Sequence, residues 1–445
     1  MKFSSFTIYN VYYYLLVTWN LDHTSAKVGS PLKLTPLIRA GRVSEARRLS
    51  NVKPLMNGVV SNSGFLTVDE KYDSNLFFWF VRKTKKNWQS APLVLYLQGG
   101  PGCSSVYGLL GENGPFYKTK NKLKRRKYAW TNHYNVLYVD QPVGTGFSYT
   151  NSSAGLLRTL QQATDHLYNA LHQFFQLYSE LRDNDFYVTG ESYAGKYVPA
   201  LAHKIHTSNQ TTKAAIRMKG LFIMSGLIDP VNMMHYGEYV YQLGLIDVHQ
   251  RRQIEVLEDE TRAYIRAGLW SNATSNRAHI KHLISKSCQI WDYTKDELEL
   301  DEHYIEYVQM EDIRQQIHVG NVSFDECSEM VYRGFWEDIM KSVKPLIEEL
   351  LEHYPIAFVG GQLDVAVAYP LVVRSLKKLE WSGALEYRMA RRRILYSDGV
   401  RVGGYYKLAG NLQEFFVRNA GHMIPADQPK FTLKLLNMFV KKKFH

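Results

Sequence analysis

The sequence predicts an α/β protein in which helices cover both faces of a mostly parallel central sheet. Two features carry this prediction: short apolar runs that end at turn-forming residues, and helical patterns that separate those runs. Such alternation is typical of parallel sheets, whose strands are apolar throughout because both of their faces are covered. The chain has 445 residues, of which 45% are hydrophobic, so it can bury a large core.

The predicted elements follow in chain order. Alternating apolar and polar residues at 62–79, with turn residues at 69–74, predict an opening hairpin. Apolar residues spaced three and four apart within 157–181 predict an amphipathic helix. Continuous apolar runs predict buried strands, which lie at 92–97, 135–139, 186–188, 221–224, 356–359 and 415–417.

The chain divides into four predicted parts. Residues 1–26 have a basic residue, an apolar stretch and a small-residue cleavage site, which is the pattern of a signal peptide. Residues 27–227 and 344–445 supply the core strands. Residues 228–343 are helical and charged and lack comparable apolar strands, so they predict a cap inserted between two strands of the sheet. No later run has the roughly 20 apolar residues that a membrane span needs, so we expect none.

The chain is basic, since 54 Lys and Arg against 42 Asp and Glu give a net charge of +12. The basic residues cluster in short runs at 83–86, 122–127, 391–393 and 441–443. A polyanion could bind such runs. However, no aromatic residues interleave them and no nucleic-acid motif accompanies them, which favours solvated loops. We therefore expect no nucleic-acid partner, and a homodimer stays open.

The segment Gly190–Gly195, which reads GESYAG, has the pattern of a nucleophile elbow. An apolar run precedes it and a helical pattern follows it, so Ser192 lies on a turn between a strand and a helix. Small residues on both sides of the serine allow a tight bend, which exposes the hydroxyl at a helix N-terminus. Ser192 is the predicted nucleophile.

A serine hydroxyl needs a base, and the base needs a partner that fixes its tautomer. Asp364 follows the strand 356–359 through a glycine-containing loop, and it is the predicted acid. Its alternative role is an Asx-turn or a helix N-cap. His422 follows the strand 415–417 and a glycine, and it is the predicted base. The chain has 15 histidines, and the alternative for any one of them is a structural role.

The attacked carbonyl oxygen becomes negative, so backbone N–H donors must point at it. One donor is predicted at Tyr193, directly after the nucleophile. The glycine-rich loop at 99–102 is the natural source of the second, and Gly100 is the predicted residue. The alternative interpretation of this loop is a plain turn.

These motifs resemble those of the serine carboxypeptidase family. The similar segments occur in the family's order: 98–105 (QGGPGCSS), 142–148 (PVGTGFS), 190–195 (GESYAG), 361–364 (GQLD) and 421–425 (GHMIP). The chain is most similar to the vitellogenic-like branch, from about Ser63 to the C-terminus. The resemblance implies an α/β-hydrolase fold and release of single C-terminal residues from peptides. It also implies Ser192, Asp364 and His422 as the triad.

The resemblance further implies a site for the substrate's terminal carboxylate. The matching positions are Gln98, Gly99, Glu112 and Glu191. Because two carboxyls and a substrate carboxylate cannot all ionise cheaply at close range, at least one must hold a proton. We therefore expect peptide hydrolysis to favour acidic pH. Met423 is expected to line the pocket of the leaving residue, with a core methionine as the alternative.

Three cysteines are an odd number for a secreted protein. The resemblance implies a disulfide between Cys103 and Cys327, which leaves Cys288 as a buried thiol or an intermolecular link. We expect no metal and no cofactor, because no His/Cys cluster has ligand spacing and no phosphate loop occurs. A secreted or lysosomal location agrees with four glycosylation sequons, at Asn151, Asn209, Asn272 and Asn321.

Two other functions stay open. The first is an acyltransferase that uses the same triad and resolves the acyl-enzyme with a small-molecule hydroxyl. The second is a non-catalytic binding or stabilising protein. The intact carboxylate-binding set favours peptide hydrolysis over the first, and the presence of all three triad residues weighs against the second.

Overall fold

The structure is a computed structural model that describes residues 29–84, 87–212, 214–297 and 303–442. The predicted signal peptide, residues 1–26, lies outside these ranges. Within them, none of the helices is both long enough and apolar enough to cross a bilayer.

The described residues form thirteen strands: β1 Asn51–Val52, β2 Ser61–Asp69, β3 Ser74–Val81, β4 Leu93–Leu97, β5 Phe116–Lys118, β6 Leu123–Arg125, β7 Asn135–Val139, β8 Phe186–Glu191, β9 Met218–Met224, β10 Ile356–Gly361, β11 Arg393–Tyr396, β12 Val402–Ala409 and β13 Leu412–Val417. Eleven of these strands form one mixed sheet, in the order β1-β2-β3-β7-β4-β8-β9-β10-β13-β12-β11, and β5 and β6 form a separate hairpin.

The six central strands, from β7 to β13, pair in parallel, as the sequence predicts. The outer strands on both sides pair antiparallel. The hairpin β2-β3 was predicted, whereas β11 and β12 were not. Most of β11 is exposed, and two adjacent glycines, Gly403 and Gly404, weaken the strand pattern of β12.

Helices cover both faces of the sheet. The α-helices of the described residues are Thr35–Arg39, Val43–Leu49, Ser105–Tyr107, Leu160–Leu177, Ala194–Asn209, Pro230–Met233, Tyr236–Gln242, Val248–Arg266, Trp270–Ser285, His303–Gln309, Glu311–Gln316, Glu329–Gly334, Lys344–Leu351, Tyr369–Leu376, Ala384–Met389, Ile424–Asp427 and Pro429–Lys441. A π-helical turn, Gly108–Glu112, and four short 3₁₀ turns complete the set; the 3₁₀ turns are Trp88–Ser90, Trp130–Asn132, Ser153–Gly155 and Ser179–Leu181.

The core has two layers because successive side chains of each strand point to opposite faces. On β4, Leu93, Leu95 and Leu97 pack into one layer, and Val94 and Tyr96 pack into the other. Both sets are fully buried. This double burial explains why the central strands read as continuous apolar runs instead of alternating ones.

Between β9 and β10 the described residues form helices and loops and contribute no strand to the sheet. This long insertion is tied to the sheet edge by a disulfide between Cys103 and Cys327, as the family resemblance implied. Backbone hydrogen bonds flank the disulfide: Ser104 N–H donates to the Glu326 carbonyl at 2.8 Å, and Ser328 N–H donates to the Gly102 carbonyl at 2.9 Å. Cys288 is a half-buried free thiol, and burial raises its pKa.

Candidate active site

Ser192 lies on a sharp turn between β8 and the helix Ala194–Asn209. Its φ is +62°, in the left-handed region that non-glycine residues rarely adopt. A Cβ added to Gly190 would lie 2.6 Å from the Ala194 Cβ and 2.9 Å from the Leu97 carbonyl oxygen, so the turn needs a glycine there. Ser192 N–H donates to the Met224 carbonyl at 3.0 Å, which anchors the turn to the end of β9.

Asp364 and His422 meet at the carboxyl edge of the sheet. The Nδ1 of His422 is 2.8 Å from the Oδ2 of Asp364, and both side chains are shielded from solvent. The other carboxylate oxygen of Asp364 accepts the Val367 N–H at 3.0 Å. Asp364 thus makes the local turn contact of its alternative role and the imidazole contact together.

Both the backbone and the ring of His422 are held in place. The backbone carbonyl of His422 accepts the Ser225 hydroxyl at 3.0 Å, and its backbone N–H donates to the Trp291 carbonyl at 2.7 Å. The Trp291 ring lies 4.7 Å from the imidazole, measured between centroids. Ser225 follows Met224, whose carbonyl holds Ser192, so the end of β9 contacts both residues.

The structure does not join the serine and the histidine by a hydrogen bond. The Nε2 of His422 is buried and has no hydrogen-bond partner among the described residues. Catalytic hydrogen bonds are often loose before substrate binds and shorten in the reacting complex. The nitrogen that would act as base is therefore available to a hydroxyl.

The glycine-rich loop lies directly against the nucleophile. A Cβ on Gly99 would stand 2.6 Å from the Ser192 Cβ and 2.6 Å from the Tyr193 nitrogen, so only glycine fits there. Gly100 has a φ of +105°, and the Gly99 carbonyl accepts the Cys103 N–H at 3.1 Å. Gly99, the neighbour of Gly100, therefore packs against Ser192 and the Tyr193 nitrogen. The oxyanion roles of Gly100 and Tyr193 stay predictions.

The four predicted carboxylate-binding residues form one buried cluster. Gly99 N–H donates to the Gln98 side-chain oxygen at 2.8 Å, and the Gln98 amide donates to Glu112 at 3.2 Å. Tyr96 donates its hydroxyl to the second oxygen of Glu112 at 3.0 Å. Glu191 is buried beside them, and one of its carboxyl oxygens has no partner among the described residues.

Burial shifts both carboxyls of this cluster toward the protonated state. It raises the pKa of Glu112 to about 7, with opposing hydrogen bonds from Tyr96, Glu191 and Gln98. Burial, followed by the charge of Glu112, holds the pKa of Glu191 well above its usual range. The pair therefore holds at least one proton across the acidic range.

Several contacts here were not predicted from the sequence. Buried Asp140 accepts from the Ser104 hydroxyl at 2.6 Å, from Ser105 N–H at 2.8 Å and from Phe147 N–H at 2.9 Å. It thereby holds the glycine-rich loop against the loop after β7. In the sequence, Asp140 comes directly after a buried strand, and this position could have identified it as a site residue.

The packing of Trp291 on His422 had no signal in the sequence, because it depends on how the insertion folds back. Met423 is half-buried next to the base, and its role stays a prediction. The described residues contain no group of three or more His, Cys, Asp or Glu that could hold a metal ion.

The fold and this edge of the sheet define a serine hydrolase of the α/β type. The family model described as "Serine carboxypeptidase" matches residues 54–442. The chain belongs to the serine carboxypeptidase family, whose members are hydrolases of the exopeptidase class.

Three proteins named as carboxypeptidases are similar in sequence to this chain. The chain is 43% identical to the venom serine carboxypeptidase of Apis mellifera over 430 residues, which covers 93% of this chain and 92% of the relative. It is 38% identical to the vitellogenic carboxypeptidase of Aedes aegypti over 99% of this chain and 96% of the relative. It is also 38% identical to the probable serine carboxypeptidase CPVL of Homo sapiens, over 93% and 90%.

The fold is shared with a solved structure. The prohormone-processing carboxypeptidase Kex1(delta)p of Saccharomyces cerevisiae superposes with a TM-score of 0.75 at 22% identity. The match covers 89% of this chain and 95% of that chain.

Proposed function

We propose that this serine carboxypeptidase removes single C-terminal residues from peptides by an acyl-enzyme mechanism. Ser192 is the nucleophile, His422 the general base and then the general acid, and Asp364 the group that orients His422. The observation that carries this assignment is the buried contact of 2.8 Å between His422 and Asp364, at the end of the sheet where the strained turn presents Ser192.

The reaction proceeds in two halves. His422 takes the proton of Ser192 as the hydroxyl attacks the last peptide carbonyl, and the N–H groups of Gly100 and Tyr193 stabilise the negative oxygen. The protonated imidazole then passes its proton to the leaving amine, which departs as the free amino acid. Water, activated by the same imidazole, attacks the ester and releases the shortened peptide.

The buried pair Glu112 and Glu191 provides the exopeptidase selectivity. Their shared proton lets one carboxyl donate a hydrogen bond to the terminal carboxylate of the substrate, with the Gln98 amide and Gly99 N–H beside it. When the pair loses this proton, two negative carboxyls face a negative substrate and binding weakens. Hydrolysis therefore favours acidic pH and declines as the pH rises through the range in which the pair ionises.

We further propose that the protein follows the secretory pathway, to the cell exterior or to lysosomes, and that residues 228–343 act as a cap. Exposed Asn272 and Asn321 suit glycan attachment, and Asn151 is also exposed although its amide donates to Asp73 at 2.6 Å. Asn209 suits it less, because its half-buried amide exchanges hydrogen bonds with the backbone of Ile216. A disulfide also suits an oxidising compartment. A homodimer and the absence of nucleic-acid binding stay predictions from the sequence.

The test is incubation of the purified protein with an N-blocked dipeptide at acidic pH. Release of the free C-terminal amino acid supports the proposal. Transfer of the acyl group to an added small alcohol, with little release in water, would indicate the acyltransferase. Failure of a phosphonofluoridate probe to label Ser192 in folded protein would favour the non-catalytic alternative.

A further inference from the structure

Two basic side chains of the insertion lie one helical turn apart and lack carboxylate partners. They are Arg277 and Lys281, on the helix Trp270–Ser285. Arg277 is only 8% exposed, and its Nε has no hydrogen-bond partner among the described residues. No described carboxylate forms an ion pair with either residue, whereas buried Lys196 pairs with Asp338 at 3.4 Å.

Both residues lie one side chain away from the catalytic edge. The Nζ of Lys281 is 5.6 Å from the ring centroid of Trp291, and Trp291 packs on His422 at 4.7 Å. The side chain of Arg277 lies beside the hydroxyl of Tyr236. That hydroxyl donates to the Ala366 carbonyl at 3.1 Å, in the loop after β10 that carries Asp364.

Such an arrangement is costly without an anion. A guanidinium withdrawn from water needs a counter-charge or a full set of hydrogen-bond acceptors, and Arg277 has neither. Burial and the charge of Arg277 hold the pKa of Lys281 well below its usual range, although Asp364 acts in the opposite direction. A carboxylate bound between the two side chains would supply the counter-charge that both of them lack.

The topology decides which part of a substrate this carboxylate belongs to. The terminal-carboxylate cluster lies after β4, on one side of the nucleophile strand β8. Arg277 lies beside Tyr236, whose hydroxyl bonds to the loop after β10. Lys281 lies over Trp291, which packs on His422 after β13. Both loops lie beyond β9, on the other side of β8. A peptide that places its last residue on the β4 side extends its preceding residue toward the β9 and β10 side. The two cations therefore face the residue whose carbonyl is attacked.

We propose that Arg277 and Lys281 form a cationic subsite that binds an acidic side chain on the penultimate residue of the substrate. This inference rests on the proposed carboxypeptidase function and specifies its substrate class: peptides that end in Asp-X or Glu-X. A charge-assisted hydrogen bond in such a site gives a preference of about 10- to 100-fold over the uncharged amide of the same shape.

The experiment compares N-blocked dipeptides that share a C-terminal Phe and carry Glu, Gln or Lys before it. It is run near pH 6, where a glutamate side chain is ionised. Wild-type enzyme is expected to hydrolyse the Glu substrate with a kcat/KM about 10-fold or more above that of the Gln substrate. Arg277→Met and Lys281→Met should each bring this ratio toward one. Lys281→Glu should favour the Lys substrate instead.

The matched control is Lys286→Met, which removes an exposed cation just beyond the same helix and should keep the wild-type ratio. If the wild-type enzyme hydrolyses the Gln and Glu substrates equally, the subsite is overturned and the carboxypeptidase function stands. If it hydrolyses none of the three, the proposed function and the subsite are both overturned. Should Arg277→Met fail to fold, the two variants of half-buried Lys281 decide the question.

Discussion

His422 and Asp364 are in direct contact through Nδ1 and Oδ2, 2.8 Å apart and shielded from water. Because a carboxylate only accepts hydrogen bonds, this contact assigns the imidazole proton to Nδ1 and leaves Nε2 as the basic nitrogen. The carboxylate also stabilises the imidazolium that forms when His422 takes a proton.

The variant Asp364→Asn should lower kcat by about 10⁴-fold, since the amide would donate to Nδ1 and fix the wrong tautomer. The measurement is steady-state hydrolysis of a blocked dipeptide. Because asparagine keeps the size of the side chain, the melting temperature should change little. A variant that folds normally and keeps more than a tenth of the wild-type kcat would contradict the assignment of Asp364.

The variant Ser192→Ala should lower kcat on the order of 10⁶-fold, because no other hydroxyl of the turn can take over the attack. Labelling by a phosphonofluoridate probe should also disappear. Ser225→Ala is a useful comparison, since Ser225 donates to the backbone of His422 and is not assigned to attack the substrate. Its probe labelling should remain. Labelling of Ser192→Ala at wild-type level would place the nucleophile elsewhere.

The features that could be predicted from the sequence are those set by neighbouring residues along the chain. Strands β4, β7, β8 and β10 were predictable because burial on both faces makes their sequences continuously apolar. The positions of Asp364 and His422 followed from strands β10 and β13, since each residue comes just after a strand ends. Their catalytic roles remain predictions.

What the sequence did not predict depends on tertiary packing. Trp291 reaches His422 only because the insertion folds back over the sheet edge, and no local pattern encodes that contact. The edge strand β11 was missed because exposed arginine and tyrosine hide the alternation of a half-buried strand. The disulfide partner of Cys103 came from family resemblance, because three cysteines alone allow three pairings.

The pair Glu112 and Glu191 should control the alkaline limb of the pH profile. Replacing both by glutamine supplies amides that donate at every pH, so KM for peptides should lose the pH dependence that the pair causes. Wild-type KM should rise as the pH increases through about 7, where Glu112 ionises. The comparison substrate is the matching peptide amide, which lacks the carboxylate. A double variant whose KM follows the wild-type profile would exclude the pair as the source.

The same pair links stability to pH. The folded pKa of Glu112 is raised to about 7 from an ordinary value of 4.5, so the folded state binds the proton more tightly than the unfolded chain. Its contribution to stability is complete below about pH 4.5 and is lost as the pH rises through about 7. The melting temperature should therefore fall by roughly 1 °C for each kcal/mol lost over this range, because the unfolding entropy grows with chain length. The Glu112→Gln/Glu191→Gln double variant should show a flatter curve in calorimetry, and an equally steep one would assign the fall to other groups, Asp140 first among them.

The disulfide between Cys103 and Cys327 should contribute both stability and activity. It closes a loop over a sequence separation of 224 residues, so removing it restores much conformational freedom to the unfolded chain. Cys103→Ser/Cys327→Ser should lower the free energy of unfolding by about 2–4 kcal/mol in a denaturant titration. Activity should also fall, because the bond holds the loop that carries Gly100 against the insertion. Cys288→Ser is the matched control and should retain both properties. A wild-type melting profile that does not change under reductant would show that the bond contributes nothing to the fold.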